Sequence, residues 1–400
     1  MSSPQSQQSI RKPIYLDYAA TTPVAPEVAA AMMGHLTRDG IFANPASRSH
    51  LYGWQAEEAV EDARGQVADL IGADTREIVW TSGATEANNL ALKGFAENYR
   101  RDHPTGGHII VSAIEHKAVL DPADWLASQG FRVTKLATNA QGVVELQALE
   151  QAIERDTFLI SIMLVNNELG SINPVGKIVE LAKTKGILVH TDAAQAIGKI
   201  PVNVKALGVD ALSMSAHKFY GPKGIGALYV RRAADVKVAA QIHGGGHERG
   251  MRSGTLPTHQ CVGMGKAAEL VGQELATESA RLADLKANLW AGLMSLPHIQ
   301  RNGSLENSVP NILNLAFADN ENQGCDGETL LLSLRDLAVS SGSACNSASM
   351  SPSYVLKAIG LTDAQAQSSL RFSLGRFTTL AEIEHAIEHI RRVVTNLKSA

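Results

Sequence analysis

The sequence lacks the features that mark several classes of protein. It has only three cysteines, and its 36 lysines and arginines nearly balance 40 aspartates and glutamates. An odd number of cysteines without CxxC spacing argues against a disulfide framework or a cysteine zinc site. No basic stripe and no run of about 18 apolar residues is present, which argues against a nucleic-acid partner and a membrane span.

The amino-terminal residues also lack an apolar signal region. The polar stretch 1–12 is typical of a short disordered arm. With so few cysteines, this predicts a protein of the reducing cytoplasm, where thiols stay available for chemistry.

The remaining composition is that of a globular protein, with 44% apolar and 19% charged residues. Short β-branched runs alternate with helical patterns between about Glu77 and Val230, which predicts a three-layer α/β domain with a mostly parallel sheet. After about Gly265 a long helical stretch precedes strands among helices, which predicts a smaller α+β domain. We therefore assign residues 25–265 to a large domain, and residues 1–24 and 266–400 to a small one.

A lysine and an aspartate follow two of the predicted strands. Lys218 lies in the run Ser213–Gly224, and Asp192 lies in the run Val189–Gln195. A lysine can hold the aldehyde of pyridoxal phosphate as a Schiff base, and an aspartate can keep the pyridine nitrogen protonated. A solvated surface lysine is the alternative, which the adjoining apolar strand and glycine-containing loop disfavour. The pair therefore predicts a pyridoxal phosphate site.

A phosphate site is predicted where Ser82-Gly-Ala-Thr-Glu follows a strand and opens a helix. Small residues there expose backbone N–H groups at a helix N-terminus, and Thr85 adds a hydroxyl. Ser215 and His217 are placed to reach the same phosphate. The alternative is a plain turn with threonine as the helix cap.

Three further residues have both a functional and a structural interpretation. His116 follows a strand and could stack on a flat ring and move protons, or it could cap a helix. Asn167 could bind a ring hydroxyl, or it could form a turn. Arg371 lies within a strand pattern and could bind a carboxylate through two hydrogen bonds, or it could form an ion pair in the small domain.

Cys345 lies in a small, polar, flexible stretch, Leu337–Ser349, which is unusual for a structural cysteine. An exposed, mobile thiol there is typical of a nucleophile. Cys261 and Cys325 lack this setting.

One motif that resembles a metal site is interpreted as the polar face of a helix. His385 and His389 match a zinc-protease pattern, but apolar residues from Leu380 to Leu397 predict the buried face of that helix and leave both histidines on its polar side. No metal site is predicted.

Read together, these runs resemble the cysteine desulfurases of the class V aminotransferase group, of the iron–sulfur-assembly kind with a long cysteine loop. The resemblance covers nearly the whole chain after the first dozen residues. Its motifs are Tyr15–Pro23, Asn44–Ser47, Thr81–Glu86, Glu115–Lys117, Asn166–Glu168, Asp192–Gln195, Ser215–Lys218, His243–Thr255 and Ser340–Cys345.

The resemblance implies a pyridoxal-phosphate-dependent aminotransferase-like fold (fold type I) and a set of residue roles. Lys218 binds the cofactor covalently, Asp192 pairs with its ring nitrogen, and Arg371 binds the substrate carboxylate. The other implied contacts are with the ring (His116, Asn167, Gln195) and with the phosphate (Ala84, Thr85, Ser215, His217, and Thr255 from a second subunit).

The implied function is conversion of L-cysteine to L-alanine by a homodimer, with the sulfur left as a persulfide on Cys345. Sulfur acceptors, such as an iron–sulfur scaffold protein or the systems that thiolate cofactors and tRNA, would then take it. Many relatives that feed a scaffold extend beyond the last helix, whereas this sequence stops at Leu397-Lys-Ser-Ala, so scaffold docking is an open expectation. An aminotransferase, a selenocysteine lyase and a catalytically idle scaffold remain as alternatives.

Overall fold

The computed structural model describes residues 12–304, 306–318, 324–341 and 352–399. Cys345 and nearly all of the predicted amino-terminal arm lie outside these ranges.

The strands, in chain order, are β1 (Ile14–Tyr15), β2 (Ile78–Thr81), β3 (His108–Ser112), β4 (Arg132–Leu136), β5 (Thr157–Ser161), β6 (Leu188–Asp192), β7 (Ala211–Ser215), β8 (Gly226–Val230), β9 (Gln300–Asn302), β10 (Ile312–Ala316), β11 (Leu337–Ala338), β12 (Ser340–Ser341) and β13 (Ser369–Ser373). The helices are α1 (Pro26–Met33), α2 (Leu51–Ile71), α3 (Ala84–Asp102), α4 (Lys117–Ser128), α5 (Leu146–Ala152), α6 (Val175–Lys183), α7 (Val204–Leu207), α8 (Thr258–Leu293), α9 (Gly327–Ser333), α10 (Tyr354–Ala358), α11 (Asp363–Gln367) and α12 (Leu380–Ser399).

A seven-stranded sheet forms the middle layer of the large unit, in the order β2-β8-β7-β6-β5-β3-β4. Strands β7, β6, β5, β3 and β4 are parallel, whereas β8 is antiparallel to both of its neighbours. Successive residues point to opposite faces, so Ile109 and Ile110 pack into different apolar clusters. Helices cover both faces, which confirms the predicted three-layer, mostly parallel α/β architecture.

A second sheet, in the order β12-β13-β10-β9, is antiparallel throughout. Its register places Ser340, Arg371, Asn314 and Asn302 directly opposite one another, so their side chains share one face. The alternate residues Leu370 and Phe372 point the other way into a separate apolar cluster. One face of this sheet is therefore polar and the other is core.

Helix α8 connects the two apolar clusters. Cys261 and Met264, near its start, pack with the large sheet, whereas Leu285 and Leu289 pack with the second one. The predicted domain boundary at residue 265 falls within this continuous helix, and the division into two domains stays a prediction.

The carboxy-terminal helix departs from the prediction in two places. Ile383 and Ile390 are buried as expected, but Leu380 is 50% exposed. His389 is only 7% exposed, so its placement on the polar side was wrong. It packs at the helix edge, with its Nδ1 2.8 Å from an Arg392 nitrogen and 3.9 Å from the Asp336 carboxylate.

Across the described ranges, no three or more His, Cys, Asp or Glu side chains are grouped to hold a metal ion. In the same part of the chain, no helix combines the length and apolarity needed to cross a membrane.

Candidate active site

A cavity of about 520 Å³ opens where the carboxyl ends of β6 and β7 face β13. The carboxyl ends of parallel strands are the usual place for a ligand in an open α/β sheet. Ten of the predicted site residues line it: Ala84, Thr85, His116, Asn167, Asp192, Gln195, Ser215, His217, Lys218 and Arg371.

Lys218 is turned into this cavity by the single 3₁₀ turn Ala216–Lys218 that follows β7. Its Nζ donates hydrogen bonds to the carbonyl oxygens of Ala19 at 2.6 Å and Ala20 at 2.9 Å. Gln195 Nε2 donates to the same Ala19 oxygen at 2.8 Å. The lysine is therefore held among polar groups of the cavity wall and is not a solvated surface residue.

Asp192 ends β6 and is 5% exposed. One carboxylate oxygen accepts a hydrogen bond from the Ala194 amide at 2.9 Å, and the other accepts one from Asn88 Nδ2 at 2.7 Å. Asn88 was missed in the sequence analysis. The available signal was its spacing, since it follows Ala84 by one helical turn and so lies on the same face of α3.

The predicted helix cap at His116 is confirmed, and its predicted stacking on a ring stays a prediction. It is the N-cap of α4, where its Nδ1 accepts a hydrogen bond from the Ala118 amide at 3.1 Å, and it also lines the cavity. Burial lowers the pKa of the imidazole, and Lys218 lowers it further, while Asp192 opposes the shift. These effects together favour a neutral ring that can accept a proton.

The predicted phosphate site lies at the start of α3. The helix is capped by Gly83, not by Thr85, so the alternative interpretation of Thr85 as the helix cap is wrong. Gly226 permits this close approach, because a Cβ there would lie 2.6 Å from Gly83 Cα. His217 faces the same space, and burial, with the charges of Lys218 and Lys223, lowers its pKa to about 4. A neutral histidine can donate to a phosphate without an additional charge.

The ion-pair interpretation of Arg371 is confirmed, and its predicted binding of a carboxylate stays a prediction. It lines the cavity and is 6% exposed, and its Nη1 donates to the Asn167 carbonyl oxygen at 2.8 Å. Its Nη2 forms an ion pair with Asp17 Oδ1 at 2.8 Å.

Two buried polar atoms here have no hydrogen-bond partner among the described residues, Asn167 Oδ1 and Arg371 Nε. Buried polar atoms without partners are uncommon in folded proteins. Their presence in a cavity with a lysine, a buried aspartate and an open helix N-terminus fits a polar ligand such as pyridoxal phosphate.

Thr255 is exposed and is not among the residues that line this cavity. The segment before it is anchored by a buried ion pair in which Arg64 Nη1 lies 2.7 Å from Glu248 Oε2. The same oxygen accepts a hydrogen bond from the Trp80 amide at 2.8 Å. The predicted contribution of Thr255 to a second subunit therefore stays a prediction.

A model of the aminotransferase class-V family matches residues 14–385. The chain belongs to this family. It is 56% identical to cysteine desulfurase IscS of Serratia proteamaculans and 57% identical to IscS of Proteus mirabilis, each over 97% of this chain and 94% of the relative.

Solved structures give the same result. A NifS-like protein superposes with a TM-score of 0.87 at 38% identity, covering 96% of this chain and all of that one. A structure described as SspA in complex with cysteine has a TM-score of 0.80 at 41% identity, covering 92% of this chain and all of that one. The predicted resemblance, fold class and cofactor are confirmed, and this member of the class-V aminotransferase family is a pyridoxal-phosphate-dependent enzyme.

Proposed function

We propose that this protein is a cysteine desulfurase that converts L-cysteine to L-alanine and leaves the sulfur as a persulfide on Cys345. The observation that carries the proposal is the convergence of Lys218, Asp192 and Arg371 on one cavity. The names of the relatives support it, as does the neighbour solved with cysteine.

The residues present would hold the cofactor at four places. Lys218 would hold the aldehyde, Asp192 the ring nitrogen, and Gln195 with Asn167 the ring oxygen. The phosphate would be held by Ala84, Thr85, Ser215 and His217. The bound cofactor supplies a sink for the electron pair left when a proton leaves the substrate Cα.

The chain's own residues would perform the remaining tasks. Arg371 binds the substrate carboxylate and so orients the Cα–H bond. Lys218 Nζ removes and returns the Cα proton, and the neutral His116 ring can carry a second proton. Asp192, already held by Asn88, would keep its carboxylate aligned with the ring nitrogen.

Sulfur transfer balances without an added oxidant. The substrate C–S bond breaks, the carbon keeps the electron pair and takes up a proton, and the product is L-alanine. The Cys345 thiolate forms the new S–S bond, so the transferred sulfur and the Cys345 sulfur are oxidised as the carbon is reduced. Two equivalents of a low-molecular-weight thiol, or one dithiol, then reduce the persulfide, which releases sulfide and restores the cysteine while the reductant becomes a disulfide.

The test is to incubate purified holoprotein with L-cysteine and dithiothreitol and to measure alanine and sulfide. Cys345→Ser should abolish both products while keeping the yellow cofactor. Cys261→Ala is the matched control, because Cys261 is a fully buried core thiol, and it should retain turnover. A keto-acid product would support an aminotransferase instead, and normal persulfide formation in Cys345→Ser would disprove the assigned nucleophile.

We further propose a homodimer in which Thr255 of each subunit reaches the cofactor phosphate of its partner. Its exposure, away from the cavity of its own chain, supports this. Mixed dimers of Thr255→Ala and Lys218→Ala subunits should regain activity, because one of the two sites then has both residues intact. Light scattering should show a dimer, and failure of mixed dimers to exceed either parent would contradict the proposal.

We propose, from the family resemblance of the sequence motifs, that the persulfide serves iron–sulfur cluster assembly and other thiolation reactions in the cytoplasm. The relatives named cysteine desulfurase IscS support the release of sulfur from cysteine. Mass spectrometry of a purified scaffold protein mixed with the persulfide form should show a sulfur adduct. An unmodified scaffold would argue against that acceptor.

A further inference from the structure

The segment Asp17–Thr22 lies along the cavity and has no assigned role in the reaction. Its middle carbonyl groups accept the hydrogen bonds of Lys218, and Thr21 Oγ1 lies 3.1 Å from His217 Nδ1. Its first residue pairs with Arg371. This short segment therefore contacts both the lysine end and the arginine end of the cavity.

Asp17 is held firmly in its position. Its Oδ1 accepts hydrogen bonds from Arg371 Nη2 at 2.8 Å and from Ser340 Oγ at 2.9 Å. Ser340 Oγ also accepts from the same Arg371 nitrogen at 3.2 Å and lies directly opposite Arg371 in the sheet. The next residue, Tyr18, donates its amide to the Ser373 carbonyl at 3.2 Å. Both the side chain and the backbone around Asp17 are therefore tied to the small sheet.

The donors of Arg371 are largely occupied in this arrangement. Nη2 is shared between Asp17 and Ser340, and Nη1 donates to the Asn167 carbonyl oxygen. Nε is the guanidinium nitrogen without a partner among the described residues. A carboxylate bound side-on would take Nε and Nη2 together, so it would meet Asp17 at Nη2.

We propose that Asp17 is a positioning residue that competes with the substrate: it holds Arg371 in its cavity-facing pose and weakens the binding of a substrate carboxylate. The proposal rests on the assignment of Arg371 as the carboxylate site under the proposed function. Neutralising Asp17 while keeping an oxygen acceptor should therefore tighten carboxylate binding. The arginine would keep its pose but lose the competing charge.

The charges around Arg371 favour tighter carboxylate binding when Asp17 is neutralised. The Asp17 and Arg371 side chains are only 19% and 7% exposed, so solvent screens their interaction weakly. Glu168 is a second buried acid near Arg371; burial raises its pKa to about 7, and the hydrogen bond from Ser353 and the charge of Arg371 oppose the shift. A substrate carboxylate would thus be an additional anion around one guanidinium.

The test uses ligands that differ in the carboxylate. L-Alanine and ethylamine both carry an amine that can perturb the absorbance of the bound cofactor, but only L-alanine has a carboxylate. Asp17→Asn holoprotein should bind L-alanine roughly tenfold more tightly than wild type, about the effect of one nearby charge in a partly buried site. Its affinity for ethylamine should stay within about twofold.

Matched variants distinguish competition between Asp17 and the ligand carboxylate from a general disturbance of the site. Asp17→Glu keeps the charge and should bind L-alanine as wild type does. Asp235→Asn removes an exposed aspartate paired with a different arginine, Arg231, and should change neither affinity. If Asp17→Asn does not retain the cofactor, Asp17→Ser removes the same charge and replaces it in the comparison.

Unchanged or weaker binding of L-alanine by the neutral variant would overturn the proposal, as would equal tightening of both ligands. The measurement is of binding and needs no sulfur transfer. If wild type formed no alanine from cysteine but Asp17→Asn bound L-alanine more tightly than wild type, the proposed function would fail while this inference held.

Discussion

Replacement of Glu115 by glutamine should remove part of the pH dependence of the free energy of unfolding. Glu115 is fully buried, and its Oε1 accepts hydrogen bonds from Ser112 Oγ at 2.8 Å and the Met163 amide at 2.7 Å. Burial raises its pKa from 4.5 to about 8, the nearby Asp192 charge adds to the shift, and the two hydrogen bonds oppose it. The folded protein therefore keeps this carboxyl protonated at neutral pH.

The sign and size follow from proton linkage. Above its unfolded pKa and below its folded pKa, Glu115 binds a proton only in the folded state, so rising pH destabilises the fold. Each pH unit costs about 1.4 kcal/mol, and the loss between about pH 6 and pH 8 is about 2 kcal/mol, since titration begins to level off near the folded pKa. Glutamine cannot titrate and resembles the protonated acid, so Glu115→Gln should not show this loss.

The assay is urea unfolding of wild type and Glu115→Gln across that pH range. The free energy of the variant minus that of wild type should rise by about 2 kcal/mol towards alkaline pH. The difference cancels contributions from other groups, such as Glu168, whose pKa burial also raises. Glu58→Gln, at an exposed position of α2, should follow wild type. Parallel curves for wild type and Glu115→Gln would refute the reasoning.

Three further outcomes are expected. Arg371→Lys should raise the KM for L-cysteine by roughly ten- to a hundredfold, because an ammonium cannot reproduce two parallel hydrogen bonds, and should leave turnover of cysteamine, which lacks a carboxylate, unaffected. Asn88→Leu should weaken cofactor binding about tenfold in absorbance titrations of the apoprotein, because Asp192 loses a buried hydrogen bond. Glu248→Leu should lower the urea-derived free energy of unfolding by about 3–5 kcal/mol, and adding Arg64→Met should recover most of it, because an unpaired buried charge costs more than an apolar pair.

Each of these has a control or a contrary result. Asn89→Leu alters a neighbour whose amide donates to the Thr85 carbonyl, and it should retain normal cofactor affinity. Equal loss of cysteine and cysteamine turnover in the arginine variant would show general damage to the site. A double variant less stable than Glu248→Leu alone would contradict the account of the ion pair.

The sequence alone predicted the strands of the large sheet and the residues that follow them. Continuous apolar runs and helical spacing are local properties of the chain, so the runs at Ile78, His108 and Ala211 could be assigned without tertiary information. Because the carboxyl ends of parallel strands lie at one edge of the sheet, the sequence also predicted that Asp192 and Lys218, which come at the ends of two such strands, lie near each other.

The tertiary structure alone decided which polar groups meet. Arg371 pairs with Asp17 across 354 positions, and Asn88 with Asp192 across 104. His389 was misplaced for the same reason, since a helical pattern does not show that Asp336 and the adjoining chain cover its edge. Periodicity determines which face of an element is buried. Which residues of different elements come into contact depends on how whole layers pack, and a local sequence pattern does not show this.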